Sequence, residues 1–304
     1  MKITLIYGGL SSEREVSIRG GKRVYEALKS NNFDVDVFEL NDYYDLIKNI
    51  KELKKSNLVF LVLHGNDGEC GKIQGFLDSL NINYIGSDLL TSSICFNKRI
   101  TFDLVEEFVN IPEWKIVKCG NYKNPLNQFP VIIKPISEGS SVDIYICDSQ
   151  KKYLNCLKSL YKKYDELIVQ KLINGKEITV SMVEKKGEII ILPILEIKPK
   201  NRFYDYEAKY TKGMTEFIVP ADISDNISED VRNRCKIIFK KLKCKGFARI
   251  DGIICDNEFY FFEVNTIPCL TELSDLPISA KSAGINFNDL IKAIVVEALD
   301  KTEV

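Results

Sequence analysis

Hydrophobic positions along this chain follow two periods, and the switches between them mark its elements. Lys2 to Tyr7 is a strand-like run that enters Gly8-Gly9. Val16, Val24, Ala27 and Leu28 then recur at roughly helical spacing, and Phe33 to Glu39 reads as a strand again. Strand, glycine turn, helix and strand open a βαβ unit. Leu58 to Leu63, LVFLVL, is apolar throughout, as in a parallel strand covered on both faces. Tyr84 to Ser87 closes this region, and a helix with Lys98 early in it follows. Pro112 to Val117, Phe129 to Pro135 and Leu167 to Ile173 read as strands. Ile178 to Val183 and Ile189 to Pro193 form a hairpin around Lys185-Lys186-Gly187. Ser224 to Leu242 is an amphipathic helix, and Phe287 to Leu299 is a closing one.

The pattern breaks in informative places. Gly246 to Thr271 reads GFARIDGIICDNEFYFFEVNTIPCLT, a hairpin of buried strands turning at Asp256-Asn257. Asp251 and Glu263 interrupt its apolar strands, where an unpaired buried carboxylate costs several kcal/mol. With Asn265 they offer hard oxygen donors that suit Mg²⁺ shared with a phosphate chain. Arg249 falls on the same strand face as Asp251 and adds a cationic fork. An ordinary hairpin with acids at its solvent edge is the simpler alternative.

Lys134 interrupts FPVIIKP in the same way, and a strand lysine is expensive unless an anion meets it. The ISEGSS stretch after it has backbone N–H groups suited to cradling phosphate. Gly8-Gly9 feeding a helix is another anion site, although Ser12 and Glu13 also read as plain helix caps. His64 and Glu69, after the central strand, read equally as a buried imidazole on a backbone carbonyl and a helix-start carboxylate. Ile197 to Pro220 has no clean period, and loops of that length in compact domains are usually functional lids.

Composition narrows the classes. The 304 residues carry 42 Lys+Arg against 43 Asp+Glu, a net charge of -1. No basic surplus suits nucleic acid, and no polybasic or spanning run suits a membrane. The apolar run in MKITLIYGG is too short for a signal-peptide core and reads as a first strand. The nine cysteines form no C-x-x-C pair, and His64 is the one histidine. Zinc spacing is absent, and the thiols read as structural ones in a reducing cytoplasm.

The segments RIDG, FEVNTIP and CLTELSDLP resemble the metal-binding end of the ATP-grasp ligases, and of the D-alanine–D-alanine ligases in particular. The stretch GGLSSEREVS resembles the first signature of that family, and HGNDGECGKIQG its H-G-x-x-G-E-D-G-x-x-Q-G. FYDYEAKY resembles its lid. The motifs come in family order along nearly the whole chain. The resemblance implies an α/β, three-domain ATP-grasp fold with an N-terminal parallel-sheet domain. Its parts would be 1–87 for substrate, 88–170 with the glycine loop, and 171–304 with lid and metal site.

The resemblance also implies roles. Glu13 would bind the ammonium of a first D-alanine, supported by His64 and Glu69. Lys98, Lys134 and Ser140 would hold ATP phosphates, and Gln170, Lys171, Ile173 and Glu177 its adenosine. Phe203, Lys209 and Tyr210 would close over the site. Two Mg²⁺, with Mn²⁺ as substitute, would sit on Asp251, Glu263 and Asn265. Arg249 and the Cys269 N–H would face the oxyanion, and Ser274 the second substrate's carboxylate, with Asp275 beside it. A homodimer is implied as well. The chain departs from the pattern at Cys70, Asp143, Gln170, Cys269 and Asp275. These departures keep open a D-serine or other D-amino-acid acceptor and a non-catalytic nucleotide-binding paralogue.

Overall fold

The unbroken apolar run at 58–63 is explained by its sheet. In the computed structural model, which describes residues 1–200, 211 and 213–300, β1 (Lys2–Gly8), β2 (Asp34–Leu40) and β3 (Leu58–Val62) pair in parallel, in the order β2-β1-β3. Leu58, Phe60 and Val62 join Ile3 and Leu5 in one core, while Val59 and Leu61 join Ile6 in another. Alternate side chains of β3 thus enter apolar layers on opposite faces, which is why the run is apolar throughout. Helix α1 (Arg14–Ser30) lays Val24, Ala27 and Leu28 on the first face. Helices α2 (Tyr43–Lys48), α3 (Ile50–Leu53) and α4 (Lys72–Ser79) bury Leu46, Leu53, Ile73 and Leu77 on the second.

The next region holds two helices, α5 (Leu89–Phe96) and α6 (Lys98–Val105). Asn97 separates them: its backbone is extended, and its side chain accepts the Ile100 N–H at 3.1 Å. This cap makes Lys98 the first residue of a helix.

A second sheet of β4 (Trp114–Lys118), β5 (Val131–Pro135), β6 (Tyr145–Cys147) and β7 (Glu166–Lys171) is antiparallel, in the order β4-β7-β5-β6. Helix α7 (Gln150–Leu160) packs Tyr153, Leu157 and Leu160 on its Val131, Ile133, Leu167 and Val169. Three strands differ from expectation at their ends, and β5 starts at Val131, after Phe129 and Pro130. Pro112 has no N–H to give a ladder and stays outside β4. β7 ends at Lys171, before the Asn174-Gly175 turn.

The third sheet comprises β8 (Lys176–Lys185), β9 (Glu188–Ile191), β10 (Leu195–Pro199), β11 (Thr215–Ile218), β12 (Phe247–Cys255) and β13 (Glu258–Asn265). Its order is β11-β10-β8-β12-β13, with β9 on β8. Helix α8 (Asp225–Lys241) buries Val231, Cys235, Ile238 and Phe239 against Val180, Met182, Ile250 and Phe261, together with Phe102 of α6. Each such phenylalanine contributes about 1.5–3 kcal/mol by leaving water. The β12–β13 hairpin turns at Asp256 and Asn257, with φ of 52° and 65°. Positive φ at both central residues matches the right-handed strand twist, and Asp and Asn tolerate it. The chain returns through α9 (Asp275–Ser282) and α10 (Phe287–Asp300), whose Leu290, Ile291, Ile294 and Val295 complete the core beneath α1.

Candidate active site

The three sheets converge on a cavity of ≈ 670 Å³. Glu13 and Glu69 line it from the first region, and Ser140 from the glycine loop. Arg249, Glu263 and Asn265 line it from the hairpin, and Cys269, Ser274 and Asp275 from the segment after it. Phe203, Lys209 and Tyr210 lie outside the described residues.

Glu13 sits one residue before α1 yet makes no side-chain cap bond, which removes the capping reading. Its side chain is buried, and Ser140 Oγ donates to Oε1. The glycine loop is therefore fastened to the first region at Glu13. Gly65 and Gly139 approach the same carboxylate: a Cβ on Gly65 would meet Glu13 Oε2 at 2.8 Å, and one on Gly139 would meet it at 3.1 Å. Only glycine leaves these backbones that near a carboxylate.

Glu69 does not start α4 either, because Gly71 holds the N-cap position. Its Oε2 accepts the Gly65 N–H at 3.2 Å. Burial pushes its pKa up to about 8, and the Glu13 carboxylate adds to that push. His64 Nδ1 lies 3.1 Å from the Ile267 carbonyl, which only accepts, so Nδ1 carries the proton. Its Nε2 is buried with no hydrogen-bond partner among the described residues.

On the glycine-loop side, Lys98 Nζ donates to the Glu138 carbonyl at 2.7 Å and pairs with Glu263 at 3.1 Å. Lys134 is buried in β5, its Nζ 5.4 Å from the Phe102 ring centroid. Burial pulls its pKa down to about 7, and Lys98 pulls the same way while Glu263 opposes. Asp143 turns its carboxylate to Lys163 at 2.9 Å and to the Tyr164 hydroxyl at 2.8 Å. Burial pushes that carboxyl up, but these two bonds more than offset it and hold it below its usual range. The acid in the glycine loop thus anchors the loop to the turn after α7. Ser140, Ser141 and Asp143 take φ of 47°, 60° and 58°, the strained side of that anchoring.

At the end of β7, Gln170 is buried and its Nε2 donates to the Pro112 carbonyl at 3.3 Å. That bond orients Oε1 as the amide's acceptor end. Lys171 ends β7, Ile173 lies on the connection to Glu177 in β8, and none of these four lines the large cavity.

The hairpin face is a charge cluster. Asp251 is the register partner of Glu263, and Arg249 of Asn265. Arg249 Nε and Nη2 donate to Asp251 at 2.8 and 2.7 Å, and Asn265 Nδ2 donates to it at 3.0 Å. Thr179 of β8 donates to Asp251 Oδ1 at 2.6 Å. Burial alone pulls the Arg249 pKa down, but Asp251 and Asp275 reverse this and raise it well above its ordinary value. Ser274 Oγ accepts the Thr271 N–H at 3.2 Å and contacts its hydroxyl at 2.7 Å.

The donor set suits a hard divalent cation: two carboxylates at paired register positions and an amide oxygen. Among the described residues no three His, Cys, Asp or Glu form a metal cage on their own. The carboxylates meet the cations of Arg249 and Lys98, so this face balances its charge internally. Thr179 and the Glu138 carbonyl were missed from sequence. The first is an ordinary strand threonine, and the second acts through its backbone.

A parallel N-terminal sheet, a second sheet with a buried lysine and glycine loop, and a third ending in an acidic hairpin define an ATP-grasp α/β protein. Residues 40–87 match the family model described as D-ala D-ala ligase N-terminus, and residues 105–296 match that of the D-ala D-ala ligase C-terminus. A D-alanine–D-alanine ligase of Thermotoga petrophila is 44% identical, covering 100% of this chain and 99% of that one. The crystal structure of D-alanine–D-alanine ligase from Bacillus anthracis complexed with ATP superimposes with a TM-score of 0.86 at 34% identity, covering 100% of this chain and 99% of that one. The VanG D-Ala:D-Ser ligase of Enterococcus faecalis gives 0.82 at 27% identity, covering 98% and 99%. The chain belongs to the D-alanine–D-alanine ligase family.

Proposed function

We propose that this protein joins two D-alanines at the expense of ATP, on units spanning about 1–87, 88–170 and 171–304. The observation that carries the reading is the single cavity that gathers Glu13, Ser140, Arg249 and Ser274 from separate parts of the chain. Glu13 binds the first ammonium, leaving that substrate's carboxylate free to attack the γ-phosphate. A carboxylate–phosphorus bond forms, the β–γ bridge breaks, and ADP leaves. Lys98 and Lys134 hold the phosphates, and Ser140 couples the loop above them to Glu13. The second D-alanine, its carboxylate at Ser274, attacks the acyl carbon through its amine. Arg249 and the Cys269 N–H face the charge that builds on the carbonyl oxygen, and donors so placed are typically worth a few kcal/mol of barrier. The bond from the acyl carbon to the phosphate oxygen breaks, phosphate leaves with that electron pair and takes up the proton the amine sheds, and a dipeptide remains.

Asp251, Glu263 and Asn265 would hold Mg²⁺, two ions with phosphate oxygens completing their shells. When bound, the ions neutralise charge on the transferred phosphoryl group. Lys209, Tyr210 and Phe203 would cover the site. All nine cysteines are free thiols, which suits a reducing cytoplasm. No helix among the described residues is long and apolar enough to cross a membrane. The homodimer rests on the family resemblance, and sedimentation checks it. The test of the function is phosphate release with ATP, Mg²⁺ and alanine. D-alanine triggers release and L-alanine does not; equal release with both, or none with either, overturns the reading.

A further inference from the structure

Glu13 needs a fixed backbone to present its carboxylate, and the turn before it is held by an acid outside the assigned site. Asp67 is buried in the loop after β3. Its Oδ2 accepts the Leu10 N–H and the Ser11 N–H, the latter at 2.6 Å. Its Oδ1 accepts the Tyr43 hydroxyl at 2.5 Å. Two successive backbone N–H groups on one carboxylate oxygen form an anion nest, here filled from within the chain. Ser11 passes the restraint on: Oγ donates to the His64 carbonyl at 3.0 Å and accepts the Glu13 N–H at 3.2 Å. Gly9 permits the approach, since a Cβ there would meet Asp67 Oδ2 at 2.7 Å, and its φ is +91°. Three residues further along the same loop, the Cys70 thiol turns to the Asn66 carbonyl, at 2.9 Å. The acid bracing this loop against the turn is therefore Asp67.

We propose that Asp67 is a positioning residue for the first substrate: through Leu10 and Ser11 it fixes Glu13 where the donor's ammonium must land. The inference rests on the function proposed above. Asp67 acts through the Glu13 backbone, so its loss falls first on the donor step and reaches the nucleotide only indirectly, through the Ser140 bond to Glu13.

The test is steady-state kinetics resolving KM for the donor D-alanine, the acceptor D-alanine and ATP, with melting curves alongside. Asp67→Ala should raise donor KM about tenfold or more, with ATP and acceptor KM within about twofold. Asp67→Asn keeps an oxygen for both N–H groups and an amide for the Tyr43 oxygen, and should recover donor KM to within about threefold of wild type. Tyr43→Phe, a milder cut of the same strut, should raise donor KM about threefold and serves if Asp67→Ala does not fold. Unchanged donor KM in Asp67→Ala overturns the proposal. So does an equal rise in all KM values, or an unchanged Tyr43→Phe where Asp67→Ala is unfolded. If wild type itself releases no phosphate with D-alanine, the functional reading has failed, and not this one alone.

Discussion

Asp275 Oδ2 lies 3.1 Å from Arg249 Nη1, at the end of the guanidinium that Asp251 does not use. Asp275 is buried and Arg249 half-buried, and the fork is gripped at Nε, Nη1 and Nη2 by two carboxylates. An acid beside Ser274 would repel an acceptor's carboxylate if it faced the substrate alone. Set against Arg249, its carboxylate turns to a cation it shares with Asp251, and its oxygen serves the protein.

Asp275→Leu is therefore expected to leave the preference for D-alanine over D-serine as acceptor changed by less than about threefold. Arg249 keeps Asp251, so the cost in stability should stay near 1–3 kcal/mol, about that of one broken buried hydrogen bond to a charge. A competition assay with D-alanine and D-serine, scored by product, checks this. A swing of about tenfold or more toward either acceptor would place the carboxylate on the substrate.

Lys134 predicts a slope of stability with pH. Its folded pKa, near 7, is below the 10.5 of the unfolded chain, because burial disfavours the charged form. The unfolded state binds more protons between those values, so this group's cost is full below pH 7 and fades as pH rises toward 10.5. Lys134→Met should remove that slope in melting curves and raise the melting temperature at neutral pH. It should also raise KM for ATP by about 10- to 100-fold, the value of a charge-assisted contact to phosphate. A variant that keeps both slope and ATP affinity would show that another group is responsible.

What sequence reveals here depends on whether a residue is out of place locally. Lys134, Asp251 and Glu263 interrupt apolar strands, so their cost is visible without coordinates. The β12–β13 hairpin announces itself through Asp256-Asn257. Glu13 and Glu69 are legible mainly through resemblance, since acids near helix starts are ordinary; the structure shows that neither caps its helix. Asp67 and Thr179 leave no mark, because a loop aspartate and a strand threonine are unremarkable until their partners are known. The break at Asn97 hid inside a continuous helical pattern, where one capping side chain outweighs periodicity.

Glu263→Gln tests the hairpin's charge. Glu263 faces Asp251 in register and pairs with Lys98 at 3.1 Å. The amide keeps the volume and loses the anion needed by a cation and by Lys98. Turnover should fall by about 100-fold or more at saturating Mg²⁺, since the ion's charge stabilisation is worth several kcal/mol. The side chain is partly exposed, so the fold should hold, with circular dichroism unchanged. Near-normal turnover would remove Glu263 from the metal site.

Glu69 gives the opposite slope from Lys134, and its cause lies inside the cavity it shares with Glu13. Its folded pKa, about 8, is above the ordinary 4.5, first through burial and then through Glu13, with Cys269 adding to the rise and His64 and Arg249 opposing it. The native state binds more protons across that window, so stability falls as pH rises from 4.5 to about 8 and levels beyond it. Near neutral pH the site then holds Glu13 beside a largely protonated Glu69. A donor ammonium entering against both carboxyls favours ionisation of Glu69, so donor binding should tighten as pH approaches 8. Glu69→Gln fixes the neutral state. Its melting temperature should lose the downward drift seen in wild type between about pH 5 and 8. Its donor KM should stay flat where that of wild type drops by about threefold, with the ATP KM as the internal control. A variant that keeps the wild-type drift and the wild-type donor profile would mean that Glu69 does not titrate in this range.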